Sequence, residues 1–379
     1  MAAAARPRIA GPHPVAPGPA DPVNVSQPPS PPVRLVRRAA LPFLAGLMLA
    51  ACGGPRPGPP PAPAAPPAAQ ADPVLPPLKI GLALGGGAAK GFAHVGVIKM
   101  LEANGLRPDV VAGTSAGSVV GALYAGGMDP FLLQERAVAL DEASIRDVRL
   151  FSGGLVQGLK LQEYVNDQVG KRPIERLRKP FAAVATRLET GERTVFVRGN
   201  TGQAVRASSS VPGVFEPVTI GDYQYVDGGV VSPVPVDAAR QLGADFVIAV
   251  DISNKAGGRR PDGMLGIVNQ SIAIMGQRLG EQELARADAV IRPKVLEFGS
   301  ADFSRRNQAI LEGEKAALAA LPQIRAGLET LQAQRLRQAR EQQARMAAQR
   351  AAAEAPACDE DGSRWNPFRR KDGTCAASR

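Results

Sequence analysis

The chain has 379 residues and a formal net charge of +10. Residues 78–321 have the composition of an ordinary globular protein and suffice for one large domain with a substantial core. The excess of basic residues does not indicate an RNA-binding module, because basic and aromatic residues are nowhere interleaved as in such modules. We therefore expect no nucleic-acid partner.

Residues 34–54, RLVRRAALPFLAGLMLAACGG, have the layout of an export signal. Three arginines precede an apolar stretch, Ala39 to Ala51, that is too short to span a bilayer as a stable helix. The stretch ends in LAAC, which resembles the lipobox of bacterial lipoproteins. That resemblance implies that Cys52 is lipidated and becomes the new N-terminus. An ordinary signal peptide with an incidental cysteine is the alternative.

Residues 1–51 are thus interpreted as an N-terminal extension with a lipoprotein signal peptide, and residues 52–77 as a tether. Gly53 carries no acidic retention signal, so we expect an envelope lipoprotein of the outer membrane that faces the periplasm. The stretch PRPGPPPAPAAPPAAQADPVLPP is a low-complexity proline tract, which predicts an extended polyproline-type conformation.

The first motif of the globular region is KIGLALGGGAAKGFAHVGVI, which begins at Lys79. An apolar run, Ile80 to Leu84, meets three glycines and then a helical pattern. A strand that leads through a glycine loop into a helix presents unpaired backbone N–H groups, which favour an anion or a developing oxyanion. Neither a Walker A loop nor G-x-G-x-x-G fits these residues.

The second motif is GTSAGSVVGALYAG, residues 113–126. An apolar strand, a G-x-S-x-G turn and a helix are typical of a nucleophile elbow, which exposes the hydroxyl of the central serine, here Ser115. We expect glycine at Gly113 and Gly117 because a Cβ there would collide with the neighbouring strand and helix. Taken alone, the motif leaves open that Ser115 is only a small packing residue, since the chain has 41 glycines.

The third motif is DYQYVDGGVVSPVPVDAA, in which Asp227 ends a strand-like run and two glycines turn the chain. Asp-Gly is also a common turn signal, and most such aspartates make only local hydrogen bonds. Histidine decides how the motifs combine, because the chain has only His13 and His94 and neither follows Ser115. A hydrolase-type triad needs a histidine after the nucleophile. A nucleophilic Ser115 would therefore pass its proton directly to a carboxylate.

The motifs GGGAAKG, GTSAG and DGG, with the block ASSSVPGVFEPV from Ala207, resemble in this order the patatin-like phospholipase family, which hydrolyses acyl esters with a Ser–Asp dyad. The resemblance covers about residues 78–290. It implies that Ser115 is the nucleophile and Asp227 the base of a lipid acyl hydrolase, without a metal or other cofactor. It also implies that the oxyanion is bound by the amides of Gly85, Gly86, Gly87 and Ala88.

The elements predict an α/β fold: a single three-layer domain with a mainly parallel central sheet, helices on both faces and a C-terminal helical tail. The predicted strands are Lys79–Leu84, Val110–Ala112, Phe181–Thr186, Thr194–Val197 and Asp245–Asp251. The predicted helices are Ala116–Ala125, Asp129–Leu140, Leu161–Val169 and Val236–Leu242. Glu189 to Arg193 predicts a hairpin, and therefore one antiparallel edge. Met264 to Leu279 is interpreted as an apolar helix of the core rather than of an acyl channel, and residues 151–160 as a flap or an ordinary surface loop.

The tail, residues 322–379, is basic and predicts a helix with a solvated far end. Its role is open between a solvated helix and a helix that binds nucleic acid or an anionic membrane surface. With Cys52 lipidated, Cys358 and Cys375 remain as an even pair, and in an exported protein we expect a disulfide between them.

Two alternatives to a phospholipid acyl hydrolase stay open. One is a catalytically silent, membrane-tethered lipid-binding protein of the same fold. The other is an acyl thioesterase or protease with the same chemistry and a different groove. The presence of both Ser115 and Asp227 favours a hydrolase.

Overall fold

The computed structural model describes residues 72–141, 147, 156–253, 263–299 and 301–354. The predicted signal peptide, Cys52, most of the tether, and Cys358 with Cys375 lie outside these residues. The strands are β1 (Ile80–Leu84), β2 (Val110–Thr114), β3 (Phe181–Arg187), β4 (Arg193–Phe196), β5 (Val218–Ile220), β6 (Tyr223–Asp227), β7 (Phe246–Val250) and β8 (Ala289–Ile291). The helices are α1 (Phe92–Ala103), α2 (Ala116–Ala125), α3 (Pro130–Ala139), α4 (Leu159–Gln168), α5 (Thr201–Ser208), α6 (Val236–Gln241), α7 (Gly263–Leu284) and α8 (Arg306–Glu354).

The eight strands form one sheet in the order β5-β6-β3-β2-β1-β7-β8, with β4 paired to β3. Strands β3, β2, β1, β7 and β8 pair in parallel, while β4, β5 and β6 pair antiparallel. The parallel strands are continuous apolar runs, as expected of strands buried on both faces. The predicted mainly parallel sheet with an antiparallel edge is therefore confirmed.

Helices cover both faces of the sheet, which confirms the predicted three-layer α/β fold. Leu82 and Leu84 of β1 pack into the larger apolar cluster, together with α1, α2 and α8. Ala83, which points to the opposite face, packs into the smaller cluster with α6 and the end of α7. The alternation follows from the two-residue period of a strand.

Strand β3 holds two other strands end to end. Four of its residues pair with β4 along one side. On the other side, Thr114 of β2 pairs with Val184, and Asp227 of β6 pairs with the next residue, Ala185. A strand has only two sides, so β2 and β6 share one of them and their last residues meet. Ser115, which follows Thr114, is thereby brought beside Asp227.

Helix α7 corrects one prediction. The segment 264–279 is helical as expected, but its interpretation as a core helix is wrong, because Met264, Ile267, Ile274 and Met275 are exposed. Apolar content alone cannot show whether another element covers a helix face.

The C-terminal helix α8 confirms the predicted helical tail and extends it. It begins at Arg306, so the limit of 321 expected for the catalytic domain falls within one continuous helix. The helix continues through Pro322 because Leu321 and Ile324 on either side are buried against the core, which outweighs the hydrogen bond that proline removes. No described helix has the length and apolar content that a bilayer crossing requires.

Helices α1 and α8 pack backbone against backbone. A Cβ on Gly96 of α1 would lie 2.0 Å from the carbonyl oxygen of Ile310, and one on Gly313 would lie 2.0 Å from that of Ala93. Lys99 and Glu314 form an ion pair beside the crossing. The two glycines are therefore required for the close approach of the helices.

We expect Gly313→Ala to lower the free energy of unfolding by about 1–3 kcal/mol, because the added methyl group meets backbone atoms that cannot rotate away. Ala319→Leu on the exposed side of the same helix adds more atoms but should change it by less than about 0.5 kcal/mol. Urea unfolding of both variants measures the difference, and equal stabilities would contradict the close crossing.

Candidate active site

Ser115 occupies a sharp turn between β2 and α2. Its backbone has φ 53° and ψ −125°, a conformation that non-glycine residues rarely adopt and that costs about 1–3 kcal/mol. A strained serine at a strand-to-helix turn is the geometry of a nucleophile elbow.

Gly113 and Gly117 allow this turn to sit against β1. A Cβ on Gly113 would lie 2.4 Å from the carbonyl oxygen of Gly117. A Cβ on Gly117 would lie 2.1 Å from the carbonyl oxygen of Leu84. Both positions therefore exclude any side chain, for the steric reason expected from the motif.

Asp227, the last residue of β6, is 6% exposed. Burial raises the pKa of its carboxyl group to about 6, a rise opposed by the Ser115 side chain and by the amide of Gly229. The Gly229 N–H donates to Asp227 Oδ1 over 2.7 Å. Asp227 Oδ2 accepts no hydrogen bond of standard geometry from the described residues. The Ser115 side chain is nevertheless close enough to lower the pKa of the carboxyl group. Oδ2 is therefore the oxygen free to accept a proton.

The block that begins at Ala207 braces both residues. The Ser208 hydroxyl accepts the Ser115 N–H over 2.9 Å and donates to the Val184 carbonyl over 2.6 Å. Two residues later, the Ser210 carbonyl accepts the Asp227 N–H over 2.8 Å. The sequence motif identified this block, but its bracing contacts are visible only in the structure.

The glycine loop offers two free amides rather than four. The N–H of Gly85 donates to the Val250 carbonyl and that of Gly86 to the Pro233 carbonyl, both over 3.0 Å. Within the described part of the chain, the amides of Gly87 and Ala88 donate no hydrogen bond. Both residues line the same cavity as Ser115. The amides of Gly87 and Ala88 are therefore the two remaining candidate donors to the oxyanion.

His94 holds the glycine loop and does not reach the dyad. Its Nε2 lies 2.8 Å from the Gly85 carbonyl, to which the neutral ring donates. Complete burial lowers the pKa of His94 to about 4, so the ring is uncharged at neutral pH. The Nε2 proton of His94 is therefore used in a structural hydrogen bond. Among the described carboxylates and imidazoles, Asp227 is the one that interacts with the Ser115 side chain.

Glu283 of α7 is a buried carboxylate that the sequence analysis missed. It accepts the Ser232 hydroxyl over 2.5 Å and the Val234 N–H over 2.8 Å. Burial raises the pKa of Glu283 to about 7. An acidic residue in a helix next to other polar residues gives no sequence signal of burial, so only the tertiary contacts could reveal it.

A cavity of about 530 Å³ contains both Ser115 and Asp227. Its walls are mostly apolar and include Val95, Leu123 and Phe215. A volume and lining of this kind suit an acyl chain better than a polar ligand. Among the described residues, no three His, Cys, Asp or Glu side chains come together as a metal site.

Comparisons with known proteins find similarities in sequence and in structure. Residues 82–240 match the family model of patatin-like phospholipase. An uncharacterised NTE family protein of Mycobacterium tuberculosis is 36% identical over 188 residues, which make up 48% of this chain and 52% of that protein. The chain therefore spans about half the length of that relative.

Two further similarities are more distant. Lysophospholipase NTE1 of Pyricularia oryzae is 29% identical over 278 residues, 65% of this chain and 18% of that protein. The crystal structure of VipD from Legionella pneumophila aligns with a TM-score of 0.46 and 16% identity, covering 65% of this chain and 67% of that one. The family match rests on the segment that holds Ser115 and Asp227 within one three-layer fold. Residues 82–240 of this chain are therefore similar to the patatin-like phospholipase family.

Proposed function

We propose that this protein is a lipid acyl hydrolase that cleaves carboxylic ester bonds of phospholipids or related acyl esters through an acyl-serine intermediate. One observation carries the proposal: a strained serine and a buried aspartate with a free oxygen share one apolar cavity. The name of the Pyricularia oryzae relative, a lysophospholipase, supports lipid esters as the substrate class.

In the acylation step, Ser115 Oγ attacks the ester carbonyl carbon while its proton passes to Asp227 Oδ2. The amides of Gly87 and Ala88 bind the oxyanion that forms. Collapse of the intermediate breaks the bond to the leaving alcohol, which takes the proton from Asp227. One lost oxyanion donor would cost about 3–4 kcal/mol in the barrier.

In the deacylation step, water attacks the acyl-serine and gives a proton to Asp227. Collapse of the second intermediate releases the fatty acid, and the proton returns to Ser115 Oγ. The raised pKa of Asp227, about 6, makes it a stronger base than an ordinary aspartate while leaving it mostly ionised above neutrality. A base with this pKa supports a Ser–Asp dyad that works without histidine.

The proposal includes a lipid anchor at Cys52, which rests on the sequence alone. An anchored enzyme in the cell envelope would face membrane phospholipid directly, and the proline tract would give the domain reach from the bilayer.

A fluorophosphonate probe tests the nucleophile. We expect wild-type protein to be labelled and Ser115→Ala to remain unlabelled, because only an activated serine reacts. Ser209→Ala is the matched control, since this buried serine lines the same cavity and its hydroxyl has no hydrogen-bond partner among the described residues. It should label like wild type. Labelling of Ser115→Ala would contradict the assignment, and unlabelled wild type would favour the silent lipid-binding alternative.

The substitution Cys52→Ser tests the lipid anchor. In cells that produce the protein, we expect this substitution to move the labelled protein out of the detergent phase, and a labelled variant that stays in that phase would contradict the anchor.

The pH dependence of kcat/KM tests the base. A carboxylate must be ionised to accept a proton, so kcat/KM on a soluble acyl ester should rise about tenfold per pH unit below about 6 and level off above it. Glu283, with a pKa raised to about 7, is the other carboxylate that titrates nearby. The midpoint near 6 should persist in Glu283→Gln, and a profile that moves with that substitution would assign the midpoint to Glu283 instead.

A further inference from the structure

Helix α7 exposes an apolar stripe, which consists of Met264, Ile267, Val268, Ile274 and Met275. These side chains are 44% to 84% exposed. Their successive separations of three, one, six and one residues keep them within one face of a helix with 3.6 residues per turn. We call this face the α7 stripe. An apolar face of this regularity is normally covered in a soluble helix.

The other face of the same helix forms a wall of the cavity. Ile272, Ala273 and Gly276 line it together with Ser115. Helix α7 therefore separates the cavity from the surroundings, with apolar side chains on both of its faces.

A second wall of the cavity shares this property. Helix α3 lines the cavity through Leu133 and Ala137. It exposes Phe131 by 65%, Leu132 by 38% and Val138 by 40%. Two helices that border the cavity, α3 and α7, therefore both expose apolar side chains.

We propose that the α7 stripe docks the domain onto the surface of a lipid aggregate, a bilayer or micelle that contains the ester substrate. The proposal rests on the proposed function. A lipid acyl chain that left the aggregate through water would lose the favourable burial of every methylene, and an apolar surface that continues from the aggregate to the cavity avoids that loss. A second copy of the chain could cover one stripe, but it would not explain apolar exposure on both walls of one cavity.

The test compares one acyl ester in two forms, as dissolved monomer and within phosphatidylcholine vesicles. The full chain carries Cys52→Ser, so that an anchor does not dominate binding. We expect the double substitution Ile267→Ser and Ile274→Ser to lower hydrolysis in vesicles by about tenfold or more, with hydrolysis of the monomer unchanged. Sedimentation with vesicles should show a matching loss of bound protein.

The matched control is the double substitution Leu311→Ser and Leu318→Ser on α8. These leucines are 46% and 47% exposed and do not line the cavity. This variant should behave like the parent chain on both substrates and in sedimentation.

Three results would overturn the docking surface. In the first, the stripe variant binds and hydrolyses vesicles like the parent. In the second, hydrolysis of the monomer and hydrolysis in vesicles fall by the same factor, which would mean that the substitutions deform the cavity. In the third, the parent is a dimer that the variant dissociates while vesicle binding stays unchanged. If the parent hydrolyses neither substrate and resists fluorophosphonate, the proposed function fails, while sedimentation still tests the surface.

Independently of that surface, we infer that Glu283 is a positioning residue for the elbow and the glycine loop. Its carboxylate holds the segment 232–234 through Ser232 and Val234. Two backbone carbonyls of the same segment accept hydrogen bonds from the elbow and from the glycine loop. The Ser232 carbonyl accepts the Thr114 hydroxyl over 2.8 Å, and the Pro233 carbonyl accepts the Gly86 N–H over 3.0 Å.

Thr114 directly precedes Ser115, and Gly86 directly precedes Gly87, one of the candidate oxyanion donors. Glu283 therefore acts on both halves of the site through one loop, without touching the substrate. This role also rests on the proposed function.

Substitutions with and without the hydrogen bonds test the role. Glu283→Leu removes both, and we expect kcat on the monomeric ester to fall by about tenfold or more while KM stays within about twofold. Glu283→Gln can accept from Val234 and donate to Ser232, so it should restore most of kcat. The matched control is Glu281→Leu, an exposed position on the same helix, which should leave both constants unchanged.

Equal kcat for wild type and Glu283→Leu would overturn the positioning role, as would equal losses in the Leu and Gln variants. If Glu283→Leu does not fold, Ser232→Ala removes one of the two bonds, and an unchanged kcat in that variant would equally overturn it. An inactive wild type would instead refute the proposed function.

Discussion

The site depends on the way β3 shares one of its sides between two strands. Strand β2 pairs with the first part of that side and β6 with the remainder, so Thr114 and Asp227 lie opposite consecutive residues of β3. Because β2 runs parallel and β6 antiparallel, the chain leaves both strands at the same point. The hydrogen bonds of the sheet ladder thus fix the distance between the turn that carries Ser115 and the strand end that carries Asp227. A one-residue slip of either strand would turn these residues to the opposite face.

The arrangement opposes folding at the two residues it brings together. Ser115 is held in a rare backbone conformation, and Asp227 is buried with no cation beside it among the described residues. A carboxyl group whose folded pKa is raised from 3.8 to about 6 costs stability when ionised, in full above about pH 6 and not at all below its unfolded pKa. The cost is about 3 kcal/mol. Contacts from Ser208, Ser210 and Gly229 keep both groups in place, so the surrounding core supplies the stability that the site lacks.

The local parts of this site can be predicted from the sequence, whereas the parts that depend on distant contacts cannot. The strand, turn and helix around Ser115 follow from small residues and apolar periodicity, and the predicted limits of α2 match the structure at both ends. Because no histidine follows Ser115, the sequence indicates a carboxylate as its base. Four glycine-loop residues looked equivalent in sequence, yet carbonyls from Val250 and Pro233 occupy half of their amides. Glu283 and the exposure of α7 depend on contacts across the fold, which composition and periodicity cannot show. The three-residue strands β5 and β8 are too short to carry a periodic signal.

Helix α7 unites these non-local features, because its two faces make different contacts. The buried face lines the cavity through Ile272 and Gly276 and carries Glu283 into the loop that supports the elbow, while the opposite face is the α7 stripe. The helical period accounts for the shared face, since Gly276 and Glu283 lie seven residues apart, which is about two turns of an α-helix. A displacement of this helix would thus reach the cavity wall and the supporting loop together. The same element that meets the lipid surface in our proposal is the one whose buried carboxylate holds the segment beside the glycine loop, so docking and the geometry of the site have a common mechanical support.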